Sequence, residues 1–207
     1  MVELFTSQGC SSCPPADALL ADLAEREDII ALSLHVDYWD YIGWSDTFAD
    51  AAYSARQRAY AQAAGTNVVY TPQMIIGGAD FVVGHRPMAV FDAIMDQADA
   101  PASIEVTVEA SGDSFVIEAQ MVGAAPGAGL LVQMIGYVPE QSVDIRRGEN
   151  ANRTLTYHNI VTSWDLLAEW TGAAQLSVQV QPGSGAHYVV IFQEHGPGRI
   201  LAAARLQ

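Results

Sequence analysis

Val2-Glu3-Leu4-Phe5-Thr6-Ser7-Gln8-Gly9-Cys10-Ser11-Ser12-Cys13-Pro14-Pro15-Ala16-Asp17 is the stretch on which the reading of this chain turns. Its first residues, Val2 to Thr6, read as a short core strand. Residues 16–25 then read as a helix, with Ala16, Leu19, Leu20 and Leu23 on one face and Asp17, Asp22 and Glu25 elsewhere. Pro14 and Pro15 fit its first turn, where a missing N–H costs nothing. The thiolate is the nucleophile in disulfide exchange, and the unpaired N–H groups of a helix start favour an anion, lowering a thiol from roughly 8.5 toward neutrality. On this reading Cys10 is the attacking thiol and Cys13, one turn further in, the resolving thiol of a reversible dithiol/disulfide centre.

Working outward, residues 29–36 form a continuous apolar run, as expected for a strand covered on both faces. Beyond Asp37-Tyr38-Trp39-Asp40-Tyr41, Ser45 is the expected N-cap of an alanine-rich helix that reaches about Ala64 and ends at Gly65. Thr71-Pro72 introduces residues 73–76, the Gly77-Gly78 turn and residues 81–83, a hairpin pattern, and a last helix covers residues 88–98. The order βαβαββα is that of a thioredoxin-like α/β core with right-handed crossovers. From about Ala100 the pattern changes to strict alternation: Ile104, Val106 and Val108 against Glu105, Thr107 and Glu109, then Phe115, Ile117, Ala119 and Met121, and later Leu176, Val178 and Val180. Short strands between Gly, Pro and Asn turns predict a mainly antiparallel β-sandwich, with one helical insertion over residues 163–170. The expected organisation is a thioredoxin-like domain over residues 1–100 and a β-sandwich-like domain over residues 101–207, with Asp99-Ala100-Pro101 as the boundary.

Five further positions, Glu3, Trp39, Trp44, Thr71 and Pro72, are candidates for the site. A proline at Thr71-Pro72, just before a strand, is expected to be cis and to face the cysteine pair, leaving the backbone of Thr71 free to pair with an extended substrate. Glu3 lies in the strand that leads into the motif; buried on both faces, it would be a desolvated carboxylate able to relay a proton to or from Cys13, the alternative being a solvated or salt-bridged strand end. Trp39 and Trp44, with Tyr41, gather where the loops of such a sheet meet a ligand, as a substrate platform or lid or simply as packing against the alanine-rich helix. His35 reads as a satisfied core histidine in preference to a ligand, and Gly148-Glu149-Asn150-Ala151-Asn152 as a turn between strands in preference to a partner contact.

Composition limits the classes of function. The formal charge is −15, from nine basic and 24 acidic residues, and every basic residue is an arginine. Such a surface repels phosphate backbones, so neither nucleic acid nor an anionic membrane is an expected partner. No apolar run approaches the roughly 18 residues of a membrane-spanning helix. No secretory signal is read at the start, where Met1 passes at once into the core strand, as in a trimmed mature chain or a cytosolic one. Half of a zinc site has the same C-x-x-C spacing, but there is no second cysteine pair, and His35, His85, His158, His187 and His195 are scattered.

With His35-Val36-Asp37-Tyr38-Trp39-Asp40 and Tyr70-Thr71-Pro72-Gln73, the opening stretch resembles the bacterial domain of unknown function 1223 family, thioredoxin-like proteins often made with secretory signals. The resemblance spans nearly the whole chain, including Gly148-Glu149-Asn150. It implies the thioredoxin-like fold and a periplasmic or secreted location, where a disulfide persists. In place of the Gly-Pro of thioredoxin stands Ser11-Ser12, and no tryptophan precedes Cys10, which leaves the reductase, oxidase and isomerase directions open. The expected function is a thiol-disulfide oxidoreductase acting on a protein or small thiol/disulfide substrate, with no cofactor and no resident metal. The alternatives are a non-catalytic binding module with a structural disulfide, and a copper-binding protein using both thiolates and one histidine. The sequence sets no oligomeric state.

Overall fold

Every residue of β1 (Val2–Thr6) is buried, which places this strand inside a sheet with both faces covered. The computed structural model describes residues 1–207. In it β1 runs parallel to β2 (Ala31–His35) and antiparallel to β3 (Gln73–Ile76), and β3 pairs with β4 (Asp80–Val83). The turn glycines Gly77 and Gly78 have φ of 59° and 69°, a region open to glycine at little cost, so the expected hairpin forms. Helix α1 (Pro14–Ala24) joins β1 to β2, α2 (Ala51–Ala63) follows β2, and α3 (Pro87–Ala98) follows β4.

Alternation along β1 sorts its side chains between two cores. Val2 and Leu4 pack with Leu20, Leu23, Met74, Ile76 and Val90 on the α1 and α3 side. Phe5 packs with Leu32, Leu34, Tyr53, Tyr60 and Ile75 on the α2 side. Each large side chain buried this way contributes about 1.5–3 kcal/mol, so a one-residue slip, which would exchange the two sets, is strongly disfavoured. Asp17, placed off the apolar face by the helical pattern, is in fact buried at 6% exposure beneath α1. Helix α2 also starts later than expected. Its cap is Asp50, which accepts from the Ala52 N–H at 2.7 Å, whereas the Ser45 hydroxyl donates to Asp40 Oδ2 at 2.8 Å.

The second half supplies seven strands: β5 (Ile104–Ser111), β6 (Ser114–Met121), β7 (Leu130–Ile145), β8 (Arg153–Trp170), β9 (Leu176–Val180), β10 (His187–Glu194) and β11 (Ile200–Leu206). As the alternation predicts, β5, β6 and β9 form a three-stranded antiparallel sheet. The other four extend the first sheet, whose full order is β11-β10-β7-β8-β2-β1-β3-β4. The junction is the parallel contact of β2 with β8, through Ser33 opposite Ile160, reinforced by Asn159 Nδ2 donating to the Ala31 carbonyl at 2.8 Å. One sheet therefore runs across the boundary expected at Ala100. The small sheet packs Ile104, Ile117, Ala119 and Val180 onto Leu130, Val132, Trp170, Val190 and Phe192 of the large one. The whole is mostly β, a mixed eight-stranded sheet beside a smaller antiparallel one.

Residues 163–170 are strand and not helix: β8 stays paired with β7 as far as Trp170 opposite Leu130. Between Leu166 and Ala168 the register shifts against Gln133 and Val132. That bulge inserts Leu167 and breaks the period of two, which is why the apolar spacing here imitates a helix. No helix is long and apolar enough to cross a membrane.

Candidate functional site

The sheet delivers the loop after β1 to the start of α1, and there Cys10 and Cys13 are joined in a disulfide with their Cα atoms 5.4 Å apart. Cys13 is the N-cap residue, Pro14 opens the helix, and the Ala16 and Asp17 N–H groups donate to the Cys13 carbonyl at 2.8 and 3.1 Å. Cys10 is 3% and Cys13 0% exposed, whereas Ser11 and Ser12 between them are exposed. The Ser12 hydroxyl lies 3.4 Å from Cys10 Sγ.

Three loops lie against the segment that carries the pair. The Thr71–Pro72 peptide bond is cis. Pro72 lies opposite the first turn of α1: a Cβ built on Gly84 would meet Ala16 Cβ at 3.1 Å and Pro72 Cβ at 3.2 Å. The loop after β2 bridges both. The Trp39 indole N–H donates to Thr71 Oγ1 at 2.8 Å while the Trp39 Cβ lies 3.2 Å from the position of a Cβ on Gly9. Tyr41 stacks on Trp39, ring centroids 6.3 Å apart, and is 79% exposed. Trp44 turns the other way, its indole N–H donating to Gln8 Oε1 at 2.8 Å. Both tryptophans therefore brace loops against the dithiol segment, and Trp39 also packs on the core cluster that holds Tyr53 and Tyr60 of α2.

The third loop is the β7–β8 turn, which falls between two strands as its residues predict. Gly148, at φ 78°, sits against Trp44 and lets the turn approach. Asn150 is then buried, and its Nδ2 donates to the Gln8 carbonyl at 2.9 Å and the Cys10 carbonyl at 3.0 Å. Glu149 Oε2 accepts from the Ser11 N–H at 3.3 Å, occupying a backbone donor between the two cysteines. A contact across 140 residues of chain leaves no local pattern to read.

Glu3 requires a correction. It is fully buried, as expected, but stands on the α2 face of the sheet, where Arg56 Nε donates to Oε1 at 2.7 Å and the Tyr60 hydroxyl to Oε2 at 2.6 Å. The Arg56 guanidinium is itself stacked over the Trp164 ring at 3.9 Å. This ion pair, with Gln193 and Gln133, ties β1 to α2 and the outer strands and faces away from Cys13.

The carboxyl on the Cys13 side is Asp17, one helical turn beyond it. Thr6 Oγ1 donates to Asp17 Oδ1 at 2.7 Å. Burial pushes this carboxyl up to about 7, against the Thr6 hydrogen bond and nearby His35, which favour its charge, and with Asp46, which opposes it. His35 is fully buried, its Nδ1 2.8 Å from Asp46 Oδ2. No group of three or more His, Cys, Asp or Glu side chains is arranged to hold a metal ion. The cleft formed by residues 24–27 with Arg205 and Gln207, about 470 Å³, lies at the far end of α1 from the dithiol.

Fold and site together define a mostly β protein whose mixed sheet carries a buried cystine at a helix start, clamped by a hairpin of the same sheet. The chain belongs to the family described as protein of unknown function (DUF1223), whose model matches residues 1–193. A protein of Agrobacterium tumefaciens solved by X-ray crystallography is similar at 33% identity and TM-score 0.84, covering 99% of this chain and 92% of that one. HBP35 of Porphyromonas gingivalis is similar in fold at TM-score 0.67 and 13% identity, over 99% of this chain and 73% of that one. Among curated proteins none matches.

Proposed function

We propose that this is a thiol-disulfide oxidoreductase whose first seven elements are a thioredoxin-like core. The observation that carries the reading is the Cys10–Cys13 disulfide at the start of α1, with the buried Asp17 carboxyl one turn behind Cys13. In the reduced form the α1 N-terminus favours the Cys10 thiolate. That thiolate attacks one sulfur of a substrate disulfide, forming a Cys10–S–S–R bond and releasing the other half as a thiolate, which takes up a proton. Cys13 then gives its proton to the Asp17 carboxylate and attacks Cys10 Sγ; the bond to R breaks, and R leaves as a thiolate that is protonated in turn. The substrate gains the two electrons that the cysteine pair loses. Pro72 and Thr71 border the entry, and Trp39 and Trp44 hold its loops. An extracytoplasmic location suits a disulfide that persists.

A second reading, a binding module with a static staple, is favoured by one observation: both sulfurs are buried under the Asn150 clamp. Redox equilibration in a glutathione or dithiothreitol series, with the Cys10 pKa taken from alkylation rate against pH, separates the two. The oxidoreductase reading expects a potential between roughly −120 and −270 mV, a thiol titrating below about 8, and loss of exchange in Cys10→Ser. A potential below about −300 mV with an unreactive Cys10 would leave the staple.

A further inference from the structure

Four buried side-chain polar atoms have no hydrogen-bond partner: Asp17 Oδ2, Ser33 Oγ, His35 Nε2 and Tyr157 Oη. Unpaired polar atoms are costly to bury, so their distribution is informative. They are not scattered. Register sets Ser33 opposite Leu4 and His35 opposite Thr6, which puts both side chains on the α1 face of the sheet, where Thr6 binds Asp17. Tyr157 of β8 meets the His35 ring edge-on, centroids 4.8 Å apart, and Phe48 packs against both, 5.2 Å from His35 and 5.9 Å from Tyr157.

The chemistry of the four atoms is complementary. Asp46 Oδ2 already accepts from the Gln8 N–H at 2.7 Å, so as a carboxylate oxygen it takes the Nδ1–H of His35 as donor. The other ring nitrogen, Nε2, has no partner, and in the neutral ring it is an acceptor able to take a proton. Burial, with Asp17 and Asp46 nearby and against Arg153, pushes Tyr157 well up, so its hydroxyl stays neutral and can both give and receive a proton. Ser33 offers the same two roles. Beyond Cys13, the charged and titratable groups facing this pocket are Asp17 from α1, His35 from β2, Asp46 from the segment before α2, and Tyr157 and Arg153 from β8.

We propose that internal water joins Asp17 Oδ2, Ser33 Oγ, His35 Nε2 and Tyr157 Oη into a proton relay that lets Asp17 take the Cys13 proton and pass it on, Asp46 orienting the imidazole. The proposal rests on the exchange function above and makes His35, Tyr157 and Asp46 positioning and relay residues of it. One proton leaves the Cys13 thiol as Cys13 attacks Cys10 Sγ. It crosses Asp17 and the water to His35, and the departing thiolate regains one from solvent.

The test uses the reduced full chain, loaded at Cys10 with 2-nitro-5-thiobenzoate as a mixed disulfide, and follows release of the coloured thiolate as Cys13 attacks. Tyr157→Phe and His35→Gln are expected to slow release about tenfold between pH 6 and 8 and to converge with the parent near pH 10, where hydroxide takes the Cys13 proton directly. Tyr157→Phe serves if His35→Gln does not fold. Removing a hydroxyl that bound no water would instead raise the melting temperature. A raised melting temperature with an unchanged pH profile in Tyr157→Phe would overturn the relay alone. No release from the parent at any pH would overturn the exchange reading and the relay with it.

Discussion

Asp17→Asn is expected to stabilise the protein by about 3–4 kcal/mol at pH 8 while leaving stability near pH 3.5 unchanged. The carboxyl titrates at 3.8 in an unfolded chain and at about 7 beneath α1. Between these values the folded state holds a proton that the unfolded state has released, so stability falls as pH rises from about 4 to 7 and stays low above. Asparagine keeps an oxygen to accept the Thr6 hydroxyl and has nothing to ionise. The same change slows the resolving step, because an amide cannot take the Cys13 proton, so stability rises as exchange at neutral pH falls. Urea denaturation from pH 3.5 to 8 gives the answer: parallel curves for parent and variant would mean that Asp17 does not carry this titration.

Asn150→Ala should cost about 1–3 kcal/mol, since it leaves the buried Gln8 carbonyl without a donor and leaves the Cys10 carbonyl with the Cys13 N–H alone. It also frees the segment that holds the disulfide shut, so reduction by dithiothreitol should quicken. Both effects are read on the folded protein, by urea titration and by thiol release. A loss below about 0.5 kcal/mol with an unchanged reduction rate would show that the hairpin tip merely lies beside the dithiol.

What could be read in advance was whatever the chain encodes locally. The strand Val2–Thr6, the proline-led start of α1, the Gly77-Gly78 hairpin and the alternation of β5, β6 and β9 all follow from period and turn chemistry over a few residues. The docking of β8 on β2 rests on one bridged pair and leaves no local trace. Asp17 illustrates the limit within one helix, because a carboxylate at a buried position looks solvated until Thr6 and the sheet are seen beneath it. Glu3 is the converse: its burial was legible, but its face depended on Arg56, which approaches from a helix 53 residues away. Gly148-Glu149-Asn150 was legible as a turn and opaque as a clamp, since what it clamps lies in the other half of the chain.

The clamp also sets an order in time. Cys10 and Cys13 are three positions apart and can meet as soon as they leave the ribosome, whereas Asn150 lies 140 residues behind Cys10. At synthesis rates of about 5–20 residues per second, the asparagine follows roughly 7–28 s later. A nascent chain thus carries its cysteines without the Asn150 clamp while those 140 residues are made, and the pair takes its mature surroundings only when the β7–β8 hairpin arrives.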